Sequence, residues 1–424
     1  MMKNKLILLF ALGLCTQVQA QAPHLSREAY RDRVEAYSQV LKQQHLKSMA
    51  STDARKIAFT GFLPKVDISA EGTLNLKEMD SWDGPAGQYR NHTYQGVFVV
   101  SQPLYTGGAL QAQNRIAQAD EKLDQLSEEL TRDQIHYQSD AFYWNASSAR
   151  AMLNASAQYQ EIVEKQYEII QDRFKDGAIS RTDLLMISTR RKEAELQYIS
   201  ARQNYTLALQ KLNILMGEEP NAPVDSLCSI GVVCPPVTLL PLDDVLQRRA
   251  DFASTEVNIQ KSEAQRKAAL SQYNPQVSMY VTGGWGTASP NMGYDVKFTP
   301  IVGMSVNIPV LRWGARFKTN RQQKAYTGIQ KLQQSYVVDQ INQELAAALT
   351  KLQETEEQVK TAKENKELAE ENLDLITFSY NEGKANMVDV LSAQLSWTQA
   401  HTSLINAYLA EKMAVAEYRK VISE

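Results

Sequence analysis

The stretch RFKDGAISRTDLL at residues 173–185 has a counterpart, SYNEGKANMVDVL, at residues 379–391. In each, an aromatic residue is followed three positions later by glycine, and an aspartate lies six positions beyond the glycine. Gly177 and Gly383 permit the left-handed turn that ends many helices. A Ser or Asn three residues after the glycine can cap a second helix, with the aspartate in the capping-box position. Each stretch therefore predicts a tight corner between two helices.

The residues around both corners repeat in one register. A shift of 206 residues places QPLYTGGALQAQNRIAQA (102–119) on IPVLRWGARFKTNRQQKA (308–325), and the same shift superposes the corner glycines and aspartates. Pro103, for example, falls on Pro309. Helical packing alone does not keep such a register, so the sequence predicts a duplicated structural unit.

Each repeat has the same expected order: a helical stretch without Gly or Pro, two strands, a long helix, the corner and a second long helix. The first helical stretches are expected at 26–60 and 242–274. A Pro-rich segment joins the repeats. The expected boundaries are 1–20 for a signal peptide, 21–216 for the first repeat, 217–241 for the linker and 242–424 for the second repeat, with corner tips at 174–185 and 380–391.

Alternation of apolar and polar residues predicts the strands. They are expected at about 64–76, 94–105, 275–287 and 296–310. Val66, Ile68 and Leu74 share one face of the first strand, because successive side chains point to opposite faces. The strands alone leave two interpretations open: a sheet with one face on a soluble core, or membrane strands with an apolar face toward lipid.

The membrane interpretation requires several chains. The segments reach the roughly 9–11 residues that a membrane strand needs. Four strands cannot close a barrel, because the smallest membrane barrels have about eight strands. Three copies related by cyclic symmetry would supply twelve strands.

Very long helices flank both corners. There is no Gly or Pro between Ala109 and Asp176, a length that corresponds to roughly 100 Å of helix. The second helix of that hairpin is expected over Ala178–Met216. In the second repeat the counterparts run over 315–382, interrupted only by Gly328, and over 384–424. Apolar residues spaced alternately by four and three predict coiled-coil packing.

The N-terminal residues predict that the chain is exported from the cytoplasm. Lys3 and Lys5 precede an apolar run, and VQA at 18–20 offers a cleavage site, so we expect a signal peptide cleaved near Ala20. Leu14 stands before Cys15 where lipidation requires a small residue, so no lipid anchor is expected. Without the leader the formal charge changes from −3 to −5, which disfavours nucleic-acid binding.

The remaining cysteines and histidines give no catalytic pattern. Cys228 and Cys234 form a close pair, which in an oxidising compartment is typical of a disulfide rather than a metal site. The five histidines are scattered without metal-ligand or catalytic-triad spacing. No phosphate-binding glycine loop is present. We therefore expect no enzyme activity, no metal and no cofactor.

Taken together, several features resemble the outer membrane efflux proteins, the TolC-like family. They are the duplicated order, QPLYTGGALQAQNR at 102–115, RRADFASTEVNIQKSEAQRKAALSQYNPQVS at 248–278 and both corners. The resemblance covers essentially the whole mature chain. It implies a mostly α fold in which a homotrimer forms a 12-stranded β-barrel in the outer membrane lipid, continuous with a 12-helix α-barrel. It also implies a Gram-negative outer membrane location with a long periplasmic portion.

The resemblance further implies a passive exit duct of a tripartite efflux or type I secretion system. The duct would dock to a periplasmic adaptor and an energised inner-membrane pump. An alternative of another class is a periplasmic coiled-coil scaffold or adaptor without a pore. A scaffold has no use for lipid-facing residues in the strands, so the environment of the strands separates the two.

Two sets of site residues follow from the resemblance. Residues matching those that hold the periplasmic entrance closed are Thr182, Asp183, Tyr380 and Asp389. Residues at the tips that would meet the adaptor are Gly177, Ser180, Gly383 and Asn386. The chain departs from the family pattern at Ala385, where an Arg is usual, and at Ser392, where a second Asp is usual. These departures remove the ion-pair partner and the second carboxylate of that pattern.

Overall fold

The chain is mostly helical with one small antiparallel sheet. A computed structural model describes residues 24–74, 76, 92–224, 226–233, 237–286 and 297–424. Its strands are β1 (His24–Leu25), β2 (Lys65–Leu74), β3 (His92–Tyr105), β4 (Ser226–Leu227), β5 (Gln276–Gly286) and β6 (Lys297–Asn307). Its helices are α1 (Arg27–Tyr37), α2 (Gln39–Thr60), α3 (Ala109–Lys175), α4 (Arg181–Met216), α5 (Leu242–Arg248), α6 (Ala250–Ser271), α7 (Ala315–Asn381) and α8 (Met387–Val421).

The element order is the same in both halves, and the long helices lie where the sequence predicts them. α3 and α7 have 67 residues each. α7 runs through Gly328, because a single glycine costs a helix only about 1 kcal/mol, which packing of the remaining residues offsets. None of the helices in the described ranges combines the length and apolar character needed to span a membrane.

The helical stretch expected at the start of each repeat is present, but in both repeats it is divided into two helices. The first stretch breaks at Ser38, which caps the second helix: its hydroxyl accepts a hydrogen bond from the Leu41 N–H. The second breaks at Arg249, which has an extended backbone. The Arg249 side chain is held by Asp251, by Glu344 at 2.8 Å and by the backbone oxygen of Val421 at 3.3 Å. These contacts hold the Arg249 side chain in place at the position where the helical backbone is interrupted.

Four strands form the main sheet in the order β2-β3-β5-β6, and every neighbouring pair is antiparallel. β3 and β5 join the two repeats, with Val100 opposite Val281. The strand bounds agree with the prediction to within a few residues. The largest difference is that β6 ends at Asn307, three residues before the expected end, because Asn307 pairs with Gln276, the first residue of β5.

None of the described residues covers the apolar face of this sheet. Val66 in β2 is 66% exposed and Ile68 is 83% exposed, while Val302 in β6 is 72% exposed. β2 and β6 are also the two edges of the sheet, each paired on one side only. A sheet that packs one face on a soluble core would bury these residues, and the part of the chain that the structure describes supplies no such core.

The chain divides into two compact units, and each unit combines segments of both repeats. We call residues 38–135, 237–351 and 417–424 the sheet unit, since it holds the main sheet. We call the described residues up to 37, together with 136–236 and 352–416, the corner unit, since it holds both corners. The predicted signal peptide at 1–20 and Cys234 lie outside the described residues, so cleavage and the disulfide stay predictions.

Candidate functional site

Both corners of the corner unit turn by the same backbone geometry. Gly177 has φ of 71° and Gly383 has φ of 75°, in the left-handed region that favours glycine. The Gly177 N–H donates to the Phe174 oxygen at 3.0 Å, and the following N–H of Ala178 reaches back to Arg173 at 2.8 Å. The second corner repeats both bonds at 3.0 and 2.8 Å. The predicted helix-ending turns are confirmed.

The predicted helix caps are also present, and they differ in detail. The Ser180 hydroxyl accepts from the Asp183 N–H at 3.1 Å and donates to the Asp183 carboxylate at 2.9 Å. In the second corner the Asn386 side-chain oxygen accepts from the Asp389 N–H at 2.9 Å. The Asp389 carboxylate accepts from the Asn386 N–H at 3.1 Å, which closes a reciprocal capping box. Both aspartates therefore stabilise the first turn of a helix, and neither forms an ion pair with another described residue.

Tyr380 links the two corners. Its side chain is only 8% exposed, and its hydroxyl has no hydrogen-bond partner in the described part of the chain. Burial raises the pKa of Tyr380, the nearby Asp183 carboxylate raises it further, and Arg173 lowers it. The Arg173 guanidinium lies 5.8 Å from the ring centre. Two residues predicted for the entrance, Asp183 and Tyr380, thus come close together within one chain.

The other predicted site residues are solvent-accessible. Thr182 is exposed and makes no side-chain hydrogen bond to the described residues. The four proposed tip residues are also exposed. A Cβ added to either corner glycine would meet no heavy atom within 4 Å. This end of the corner unit is therefore open to a partner on the side of the tips.

Below the corners lies an apolar cluster on which Ala385 packs. Its buried members are Tyr159, Val163, Ile170, Ile187, Ala194, Leu373, Tyr380, Met387, Val390, Ala393 and Trp397. Ala385 is one of the partly buried residues that cover this cluster. The position where the family pattern has an Arg thus contributes packing here rather than charge.

Two polar contacts near the corners are absent from the sequence-based site. Arg173 donates to both oxygens of Asn381, and so ties the end of α3 to the end of α7. The fully buried Gln394 donates to Gln166 at 3.0 Å. Gln166 precedes Gly177 by the same number of sequence positions by which Gln394 follows Gly383. This symmetry is the one sequence signal that could have found the pair.

The linker is fastened to the corner unit around Cys228, which forms no disulfide with another described residue. The Cys228 N–H donates to the Tyr143 hydroxyl at 2.9 Å, and that hydroxyl donates to the Leu25 oxygen at 2.7 Å. Burial raises the pKa of Tyr143. Ser147 donates to the Cys228 oxygen at 2.6 Å. Across the described residues, no cluster of three or more His, Cys, Asp or Glu side chains could hold a metal ion.

Comparison with known proteins agrees with this architecture. The model of the family described as "Outer membrane efflux protein" matches residues 31–218 and 242–422. The match thus divides at the predicted linker between the repeats.

Individual relatives are distant but cover most of the chain. Nodulation protein T of Rhizobium leguminosarum bv. trifolii is 22% identical over 80% of this chain and 75% of its own length. Outer membrane efflux protein BepC of Brucella suis biovar 1 is 21% identical over 85% of this chain and 77% of its own. The crystal structure of the CmeC outer membrane channel of Campylobacter jejuni has a TM-score of 0.80 at 18% identity, and the match covers 94% of this chain and 85% of CmeC.

Proposed function

Because the chain belongs to the outer membrane efflux protein family, we propose that it is the outer membrane channel of a tripartite efflux or type I secretion system. It acts as a passive exit duct and carries out no catalysis itself. The observation that carries the proposal is the main sheet, whose apolar face is exposed and whose two edge strands are open. Lipid is the solvent that accommodates such a face, provided that the edges are paired.

Trimerisation supplies the missing pairing. Three copies bring twelve strands, and β6 of one copy pairs with β2 of the next, so that no edge remains. The four long helices of each copy then contribute twelve helices to a tunnel through the periplasm. The signal peptide delivers the chain to the outer membrane of a Gram-negative cell.

The corners form the periplasmic end of the duct. Three copies bring six corners into one ring, and the carboxylates of Asp183 and Asp389 make this end favourable for cations. Thr182 and Tyr380 are the other two residues that hold this entrance closed. The exposed tip residues contact a periplasmic adaptor, which couples the duct to an energised inner-membrane pump. The tip residues in this role are Gly177, Ser180, Gly383 and Asn386.

Planar-bilayer recording on detergent-extracted protein, with unheated gels alongside, tests the proposal. We expect trimers on the gel and small, discrete, cation-favouring openings in the bilayer. A protein that extracts without detergent and stays electrically silent would rule out the duct and favour a periplasmic coiled-coil scaffold. The exposed apolar strands speak against that scaffold, because they would have no role in it.

A further inference from the structure

The corner unit contains a cavity of about 600 Å³ between α3, α4 and α8, away from both corners. That volume is within the range of small-molecule sites, roughly 300–1,000 Å³. Small side chains such as Ala149, Ala155 and Ala201 line the walls and leave the space between the helices unfilled. None of the lining residues is Asp, Glu, Lys or Arg, so the cavity offers no charge to an ionic ligand.

Three aromatic rings form one side of the cavity. The Trp397 ring stacks on Tyr159, whose ring centre is 6.2 Å away, and is tilted by 45° against His401, whose ring centre is 4.3 Å away. Tyr159 and Trp397 are almost fully buried, whereas His401 is half-buried. His401 is therefore the ring of the three that a molecule in the cavity can reach most easily. A planar aromatic ring is the shape that packs best against such a group of rings.

Three polar side chains of the walls already use a donor within their own helix. The Ser156 hydroxyl already donates to the Leu153 oxygen at 2.8 Å, and the Thr398 hydroxyl donates to the Gln394 oxygen at 2.9 Å. The Asn145 side-chain N–H donates to the Ala141 oxygen at 2.7 Å. The two hydroxyl hydrogens and one N–H of Asn145 are thus used within their own helix, while the oxygens of all three side chains keep lone pairs that can accept.

His401 itself lacks a hydrogen-bond partner among the described residues, and its Nδ1 is shielded from water. Burial lowers the pKa of His401, and the nearby Lys366 lowers it further while Glu370 opposes the change. The ring is therefore neutral at neutral pH and keeps one acceptor nitrogen. Because χ2 of histidine has a broad torsional profile, a ligand can draw a ring nitrogen toward the cavity.

We propose that this cavity binds an uncharged, planar aromatic molecule with a phenolic hydroxyl, stacked beside His401 and donating its O–H to the imidazole. A charged ligand would lose its hydration without gaining a partner charge. A purely apolar ligand would leave the imidazole unsatisfied. The proposal does not depend on pore formation, because a single chain supplies all of the lining residues.

The test uses isothermal titration of 2-naphthol into the full-length protein in detergent, with titrations into empty micelles as the blank. We expect saturable binding of one molecule per chain. Ser200 is an exposed residue of α4 that lines the cavity, so Ser200→Trp places an indole there. This variant should bind the ligand more than about tenfold more weakly, because the ligand and the indole need the same space. Ser403→Trp is the matched control, since Ser403 is an exposed serine of α8 that does not line this cavity. It should leave binding unchanged.

A second comparison isolates the hydroxyl. 2-Methoxynaphthalene has the same rings without the O–H, and it should bind about threefold to tenfold more weakly than 2-naphthol. That difference should disappear in His401→Phe. Absence of saturable heat above the micelle blank, or equal binding by the two tryptophan variants, would overturn the site. Equal binding of the two naphthalenes to the unmodified protein would overturn the role of the imidazole.

Discussion

The guanidinium of Arg173 donates to the backbone oxygen of Asn381 at 3.4 Å and to its side-chain oxygen at 3.3 Å. Arg173 lies in the last turn of α3 and Asn381 is the last residue of α7, so this contact spans the two corners. Both bonds are long and exposed, which limits their contribution to stability to about 1 kcal/mol or less. Their importance lies in fixing the distance between the corners.

We expect Arg173→Ala to raise single-channel conductance while leaving the unfolding temperature nearly unchanged. The corners would then separate more easily, because the hydrogen bonds of Arg173 to Asn381 would be lost. Lys175→Ala is the matched control: Lys175 lies in the same last turn, but it pairs within its own helix with Asp172 at 2.8 Å. Equal conductance in the two variants would show that the Arg173 contact does not hold the entrance.

The corner aspartates combine a charge with a helix cap, and Asn substitution separates the two. An Asn at 183 or 389 keeps an oxygen that accepts the present hydrogen bonds but removes the negative charge. We therefore expect the Asp183→Asn, Asp389→Asn double variant to form stable trimers whose current is less sensitive to block by Mg²⁺. Unchanged block, measured over a range of Mg²⁺ concentrations, would mean that the two carboxylates act only as caps.

The corners could be predicted from sequence because the interactions that form them join residues close together in the chain. A glycine in the left-handed region and a capping residue three positions later need no distant partner, and both corners were found from those residues. Strand alternation and long helices without Gly or Pro are local in the same sense. The exposed apolar face of β2 is a direct consequence of such a pattern.

Features that depend on residues far apart in the chain were missed. The break at Arg249 depends on Glu344 and on the Val421 oxygen, 95 and 172 residues away. The Arg173–Asn381 contact joins residues 208 apart. The cavity beside His401 arises from three helices whose side chains are individually ordinary. No local pattern contains these distances, because packing of the helices sets them.

The corner glycines are expected to serve both the turn and docking of the adaptor. Gly→Ala at 177 or 383 adds backbone strain of about 1–2 kcal/mol but almost no bulk, since a Cβ there meets open space. Gly→Trp adds similar strain and a large side chain at the tip. We expect both variants to form trimers on unheated gels, with export of a toxic compound retained by the Ala variants and abolished by the Trp variants. Equal export by the Ala and Trp variants at both positions would remove the tips from docking.

His401 should make the stability of the chain depend on pH. Burial lowers its folded-state pKa, whereas the unfolded imidazole binds a proton near pH 6.5. Between these two values the unfolded state holds more protons. The contribution of His401 to stability is thus complete above about pH 6.5 and is lost as the pH falls through the folded-state pKa. Lys366 and Glu370 of α7 and Tyr159 of α3 are the titratable groups facing it, while α4 presents only uncharged residues to the cavity.

Thermal unfolding between pH 7.5 and about 5 checks this dependence. The melting temperature of the unmodified protein should decrease as the pH falls, and His401→Phe should decrease less steeply because it has no proton to gain. His45→Gln is the control, since His45 is an exposed histidine of α2 whose loss leaves the buried imidazole in place. It should keep the steep decrease. Parallel curves for the unmodified protein and His401→Phe would mean that other groups, such as the paired carboxylates, account for any acid sensitivity.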